Sequence, residues 1–361
     1  MRVAFYSPMA EPDASAASGV QRMGDLLQQA LRAAGAEVWR PGGVRTYEGR
    51  GDIARQRVLK AQSERVAAAL VQAVRDGTAA RPDLWFSYHV YYKSPDWIGP
   101  AVSRALQIPY LIAEGSHAPK RSGGPWAVGY DATAAALIAA DRLLAMTAFD
   151  RYCLDQLAPG RVRDLKPFID VAPFAVPRAR LAGQRALSLV TVATMRDERK
   201  RASYALLAAA LRKADVPITL RVAGDGPMRR EIEALFTGLN ARFDGLVSAD
   251  QIPAFLCTGD AFAWPGLGEA YGLVFLEAQA AGLPVVACRD RGVPDAVAED
   301  DTALLSPPGD VGAFAANLSR LAKDAALRQR LGETGRGFVW CERSVAAAGQ
   351  ALARVIAEVW R

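Results

Sequence analysis

The feature that most restricts the fold is the stretch from Ala261 to Ala287. An apolar run, Ala261 to Trp264, leads into Pro265-Gly266-Leu267-Gly268; a helical pattern then begins near Gly272 and stops at Gly282, and Leu283-Pro284-Val285-Val286-Ala287 follows. Proline and glycines punctuate the change of period, so the order is strand, loop, helix. Two carboxylates bracket the helix start: Glu269 in the loop and Glu277, eight positions on, about a turn and a half into the helix. The free N–H groups of a helix start, with the positive end of its dipole, make an anion site between the two acids. Ionised carboxylates only accept hydrogen bonds and so match hydroxyl-rich groups, whereas the helix start matches a diphosphate. Together they suit a nucleotide-sugar, with Glu277 on the ribose hydroxyls and Glu269 on those of the sugar.

The rest of the chain repeats this alternation twice over. In the first half, strand-like runs at Val3 to Ser7, Glu37 to Arg40, Leu84 to His89, Ile108 to Glu114 and Arg142 to Met146 are spaced by helical runs such as Val20 to Ala34 and Ile53 to Arg75. In the second, Leu187 to Ala193, Ile218 to Ala223 and Arg242 to Gly245 alternate with Ala202 to Ala214, Met228 to Leu235 and Ile252 to Cys257. Strands spaced by helices argue for parallel sheets, and 361 residues are too many for one core. The expected fold is therefore α/β: two Rossmann-like domains facing each other across a cleft. Lys166 to Pro177 is rich in proline and runs into the Arg- and Ala-rich Arg178 to Arg185, as a linker does. This sets an N-terminal domain at 1–177 and a C-terminal domain at 178–344. Three further helices are expected at Asp310 to Leu321, Ala325 to Leu331 and Ser344 to Trp360.

Ligands of open α/β sheets gather at the carboxyl ends of strands, and several candidate residues stand there. The loop Ser7 to Ser18 ends in Gly19, where the lack of a side chain lets backbone approach a sugar or phosphate, or simply serves a turn. His89 and His117 are the only two histidines, each near a strand end. Lys120-Arg121-Ser122-Gly123-Gly124-Pro125-Trp126 is basic and capped by an aromatic, a composition suited to an acceptor phosphate, a lipid headgroup or a moving lid. No G-x-G-x-x-G follows the first strand, which argues against a nicotinamide dehydrogenase.

At these residues the chain resembles the GT-B glycosyltransferases of retaining family 4, over nearly its whole length and most strongly from about 187 to 306. The family carries Glu-x7-Glu in a loop reading roughly Pro-Ser-x-x-Glu-x-Phe-Gly-Leu; here it reads Pro265-Gly266-Leu267-Gly268-Glu269-Ala270-Tyr271-Gly272-Leu273, with Gly266 for Ser expected to loosen the loop. The resemblance makes Glu269, Ala270, Tyr271, Gly272, Leu273 and Glu277 donor-binding residues. Val222-Ala223-Gly224-Asp225-Gly226-Pro227 resembles the family's Gly-x-Gly-Pro turn, which implies that Gly224 and Gly226 bring backbone close to the nucleotide. An Arg and a Lys about five positions apart hold the family's donor diphosphate; here position 195 is Met, so Arg196 with Lys200 is the best match and Arg199 the second. Gly292-Val293-Pro294-Asp295 resembles a turn that closes the donor site. The family's histidine on the donor sugar or acceptor falls on His117, Gly19 matches one residue of its Gly-Gly, and its last helix, here from about 345 to 361, returns to the first domain.

The resemblance implies retaining transfer of a sugar from a nucleoside diphosphate donor to a glycan, lipid-linked or small-molecule acceptor. Lys200, Arg196 and the helix start would stabilise the departing diphosphate, and Glu269 and Glu277 orient the donor. His117, Glu269 and Lys200 are the catalytic candidates, with Gly19 and Lys120 on the acceptor side. The rivals are a nucleotide-sugar epimerase of the same fold, a glycoside hydrolase and a non-catalytic nucleotide-binding protein. Asp225 belongs to no Asp-x-Asp pair, so neither a metal nor any other cofactor is expected. A net charge of +6 is compatible with phosphates or with peripheral contact on the inner face of a membrane, and no nucleic-acid module appears. The most apolar windows fall short of the roughly 20 residues of a spanning helix. With no signal-peptide pattern and four scattered cysteines, a cytoplasmic location is expected.

Overall fold

The computed structural model describes residues 1–9, 19–175, 186–196 and 198–360. They form two compact units, Met1–Lys166 with Val345–Arg361, and Pro167–Ser344. Each is a six-stranded parallel sheet with intervening helices.

The first sheet comprises β1 (Arg2–Tyr6), β2 (Glu37–Trp39), β3 (Leu84–Val90), β4 (Tyr110–Gly115), β5 (Arg142–Ala145) and β6 (Val162–Asp164), in the order β2-β1-β3-β4-β5-β6. Its central strands are buried along almost their whole length, which is why they read as continuous apolar runs rather than alternating ones. The helix Val345–Val359 packs on the helix Gly19–Ala33, and only a glycine fits at 349: a Cβ there would lie 2.9 Å from Cβ of Ala33 and 3.0 Å from the Ala30 carbonyl oxygen.

Glu358, near the end of that last helix, pairs with Arg142 at 2.8 Å and Arg163 at 2.7 Å from β5 and β6. Hydrogen bonds from Arg163 and then Arg142 hold its carboxyl down to about 2, against an ordinary 4.5. A folded-state value below the unfolded one stabilises above pH 4.5, and that contribution is lost as pH falls toward 2. Because the carboxylate is 35% exposed, the effect is that of a screened surface pair. Glu358→Gln is therefore expected to melt slightly lower than the parent at pH 7 and together with it near pH 2, by circular dichroism.

The second sheet comprises β7 (Leu187–Val192), β8 (Ile218–Ala223), β9 (Ala241–Gly245), β10 (Ala261–Ala263), β11 (Val285–Cys288) and β12 (Ala303–Ser306), in the order β12-β11-β10-β7-β8-β9. Strand order reverses between β7 and β10, and the crevice beyond such a reversal is where doubly wound sheets take ligands. Phe262, Trp264, Tyr204, Phe275 and Phe314 are fully buried in the core of this unit. The units part at Lys166 and Pro167 rather than near 178, because Ile169 and Phe174 are buried in the second core and the Ile169 amide donates to the Arg343 carbonyl at 2.9 Å. The expected Arg178 to Arg185 linker and residues 10–18 of the first loop lie outside the described residues. Among the described residues no helix is long and apolar enough to cross a membrane.

Candidate active site

The loops that follow β7 and β10 flank the reversal point of the second sheet. Beyond β10 the chain runs from Trp264 to Gly272, and the helix Leu273–Ala280 begins at Gly272, whose φ of 67° is left-handed. Gly266 and Gly268 are left-handed too, at 70° and 74°. A Cβ on Gly266 would come within 2.8 Å of Phe275 Cζ, so glycine there is what the turn requires and does not loosen it. The loop is pinned from outside: the Leu267 amide donates to Ser203 Oγ at 3.0 Å and the Gly268 amide to Asp290 Oδ2 at 2.7 Å. The Gly292 turn braces its far side, since a Cβ on Gly292 would sit 1.9 Å from the Ala270 carbonyl oxygen.

Within this frame Glu269 Oε1 accepts hydrogen bonds from Trp264 Nε1, at 3.0 Å, and from Lys200 Nζ. Lys200 lies on the helix Glu198–Lys213 and also covers the Trp264 ring, 5.5 Å from its centre. The Lys200 and Glu269 side chains are each only 18% exposed. The structure thus joins residues that stand 69 positions apart and that the sequence assigned to different parts of a donor. Glu277 is 3% exposed, and so is no solvated helix glutamate. Tyr271 is buried with its hydroxyl lacking a hydrogen-bond partner among the described residues, Leu273 is half-buried, and Ala270 is exposed.

The cation cluster sorts itself differently from its sequence order. Met195 is fully buried, its amide bonded to the Asp225 carbonyl at 3.0 Å, so a residue at 195 serves the β7–β8 junction. Arg196 and Arg199 are both exposed, but it is the Arg199 stem that lies against Gly268: a Cβ there would be 2.9 Å from Arg199 Cδ. The second-ranked arginine is the one brought to the Glu269 loop. Gly224 and Gly226 have a structural reason for lacking side chains. Their Cβ atoms would fall 1.9 Å from the Ala193 carbonyl oxygen and 2.5 Å from that of Met195, which locks this turn onto the loop after β7.

In the first unit His117 follows β4, and its ring stacks on Tyr130 with Nε2 3.1 Å from the phenol oxygen. Burial lowers its pKa below the usual 6.5, so the imidazole is neutral at pH 7. Lys120 is exposed in a short turn, whereas its neighbour Arg121 is held over the rings of Tyr92, at 5.3 Å, and Trp126, at 5.0 Å. Lys93 covers the same two rings at 5.9 and 5.1 Å. The sequence singled out Arg121 and Trp126 of this cluster but not Tyr92 and Lys93, for which Tyr91-Tyr92-Lys93 directly after β3 was the signal. Gly19 is exposed at the start of its helix, and a Cβ there would meet none of the described residues within 4 Å. Among the described residues no three of His, Cys, Asp or Glu gather as metal ligands would.

The chain is similar in sequence and in fold to known proteins. The family model for glycosyl transferases group 1 matches residues 186–324. Sulfoquinovosyl transferase SQD2 of Arabidopsis thaliana is 41% identical over 116 residues, 31% of this chain and 23% of that protein. D-inositol 3-phosphate glycosyltransferase of Salinispora arenicola is 32% identical over 253 residues, 60% of this chain and 56% of that protein. The chain thus spans from about a quarter to about half the length of these curated relatives. Anabaena HepE, solved in complex with UDP, superposes with a TM-score of 0.74 over 99% of this chain and all of that one at 17% identity, a likeness of fold.

Proposed function

We propose that this chain, whose residues 186–324 match the group 1 glycosyl transferase model and whose two-domain α/β fold is that of the GT-B class, moves a sugar from a nucleoside diphosphate donor to a hydroxyl acceptor with retention of configuration. The observation that carries this reading is the meeting of Lys200 and Glu269 at the reversal point of the second sheet, eight residues before a buried Glu277.

The difficult step in such a transfer is departure of the diphosphate, where negative charge grows on the leaving oxygen. Lys200, Arg199 and the amides at the start of Leu273–Ala280 supply positive potential there, with Arg196 as an outer contributor. Glu269, held by Trp264, orients the sugar hydroxyls, and its contact with Lys200 puts sugar and phosphate sites side by side. Glu277 accepts from the ribose diol. Backbone around Gly245 to Ser248 reads the base, and a uridine donor, such as the UDP bound by the HepE neighbour, is the first to try. Gly224 and Gly226 shape the floor by holding the loop after β7. The neutral His117 serves the acceptor side, with Gly19 and Lys120 at its edge.

The test is to incubate the protein with UDP-, GDP- and ADP-glucose and candidate acceptors in excess chelator, following the products by NMR. An α-linked product formed despite the chelator is expected. Free glucose alone, a changed donor sugar without transfer, or activity restored only by Mn²⁺ or Mg²⁺ would overturn the reading in favour of hydrolysis, epimerisation or metal assistance respectively.

Loss of the charge-assisted bonds from the ribose should cost about 1.5–3 kcal/mol in Glu277→Ala, roughly 10- to 150-fold in nucleoside diphosphate affinity by calorimetry. Unchanged affinity would remove Glu277 from the donor site.

A further inference from the structure

Two residues of the first sheet hold a backbone conformation that strands do not ordinarily contain. His89, in β3, has φ of 63°, and Glu114, in β4, has φ of 55°. Among the described residues the other non-glycine ones with positive φ are Gln107, Arg291 and Asp300, at a helix cap or in turns. Left-handed geometry within a strand is strained for a residue with a Cβ, and such strain is a pointer to function. The two outliers are also partners. The ladder pairs Tyr88 with Ala113 and Val90 with Gly115, which sets His89 opposite Glu114 at the carboxyl end of the sheet. There Nδ1 of His89 lies 2.8 Å from Oε1 of Glu114, with the two side chains 18% and 13% exposed.

The place is as telling as the pair. The first sheet reverses strand order between β1 and β3, so the end of β3 borders its ligand crevice, and His89 is the one residue of β3 that is not fully buried. Nδ1 is closed off from water and meets the carboxylate as a close polar contact that is out of line for a hydrogen bond. A carboxylate this close repels a lone pair on Nδ1, which favours the proton on that nitrogen and leaves Nε2 as a hydrogen-bond acceptor. Tyr91 meets the imidazole edge-on at 5.1 Å and continues into Tyr92, an aromatic wall of the kind against which the C–H faces of sugar rings pack. An imidazole acceptor beside aromatic rings matches a polyhydroxylated ring compound.

We infer that the His89–Glu114 pair is a hydroxyl-binding subsite for a sugar or cyclitol acceptor, in which Glu114 fixes the tautomer and His89 Nε2 accepts from an acceptor hydroxyl. This rests on the transferase reading above and names the acceptor class it would use. His89 binds, Glu114 positions, and the strained backbone holds both residues at the carboxyl end of the sheet.

The test exploits the presence of only two histidines, so that a long-range ¹H–¹⁵N spectrum of the imidazoles contains two spin systems, assigned with His117→Gln. The inference requires His89 to carry its proton on Nδ1, and its Nε2 resonance to move on titration with at least one of D-glucose, D-galactose and myo-inositol. Glu114→Gln should weaken that binding about five- to tenfold, the loss of one hydrogen bond. His89→Asn should weaken it similarly while keeping the melting temperature within a few degrees, because asparagine tolerates left-handed backbone. A proton on Nε2, or an Nε2 resonance that none of the three polyols moves, overturns the inference, as does unchanged polyol affinity in both variants. UDP titrated separately into the wild-type protein tests the donor site, so failure of one reading is distinguishable from failure of the other.

Discussion

Lys200→Ala is expected to lower kcat/KM by about a hundred- to a thousandfold, the range seen when one preorganised group is removed from developing negative charge. The loss should be divided between ground and transition states. Lys200 sits against Glu269 and over Trp264, so it is already placed before any ligand arrives. Its removal takes a cation from the bound diphosphate and also leaves the Glu269 carboxylate with Trp264 Nε1 alone to restrain it. Nucleoside diphosphate affinity should therefore fall together with turnover. Calorimetry beside steady-state kinetics separates the two; a variant that keeps full turnover would place the diphosphate elsewhere.

Gly224→Ala is the substitution expected to damage the second unit most. At φ of 148° a Cβ is unfavourable by itself, and this one would lie 1.9 Å from the Ala193 carbonyl oxygen and 2.9 Å from the Ala193 carbonyl carbon. Both are backbone atoms of a chain that the Tyr204 hydroxyl fixes through a 2.8 Å bond to the same oxygen, so no side chain can swing aside. Either β8 must shift from β7 or the turn must open and surrender the Gly224 amide bond to the Gly245 carbonyl, 2.7 Å long. A cost of about 3 kcal/mol or more follows, which in a unit of this size is roughly a 6–12 °C fall in Tm. Differential scanning calorimetry reads it directly; an unchanged Tm would mean that the turn adapts at no cost. By contrast Gly19, where a Cβ would meet none of the described residues within 4 Å, should accept alanine without loss of stability.

Much of the fold was legible because the period of the apolar residues switches cleanly: the helix Ile53–Arg75 and the strand Ile218–Ala223 fall where the pattern places them. Short elements were not. The helix Gly99–Leu106 and the strand Val162–Asp164 are too brief to show a period. The helix Ala325–Glu342 runs well past Leu331, where Gly332, Gly335 and Gly337 look like breaks. Two of these glycines are there for close packing: a Cβ on Gly332 would meet the Gly282 carbonyl oxygen at 2.4 Å, and one on Gly335 would meet Gln279 at 3.3 Å. Strand order is a matter of non-local pairing and left no trace in the sequence.

The site divides in the same way. Glu269, Glu277 and Lys200 could be singled out because a strand-loop-helix pattern positions acids and cations by local rules. Arg196 was ranked above Arg199 on spacing alone, whereas which stem reaches Gly268 depends on how the helix Glu198–Lys213 docks. The left-handed backbone of His89 and Glu114 is likewise invisible in a sequence, since nothing in Tyr88-His89-Val90 marks a strained strand.

The central claim is that the donor lies at the loops after β7 and β10. Hydrogen exchange read by mass spectrometry, with and without a saturating nucleoside diphosphate chosen from UDP, GDP and ADP, examines it most directly. The expected result is slowed exchange in the peptides covering residues 194–203 and 264–277, with the first sheet unchanged. Protection confined to the first sheet, or none with any of the three nucleotides, would contradict it.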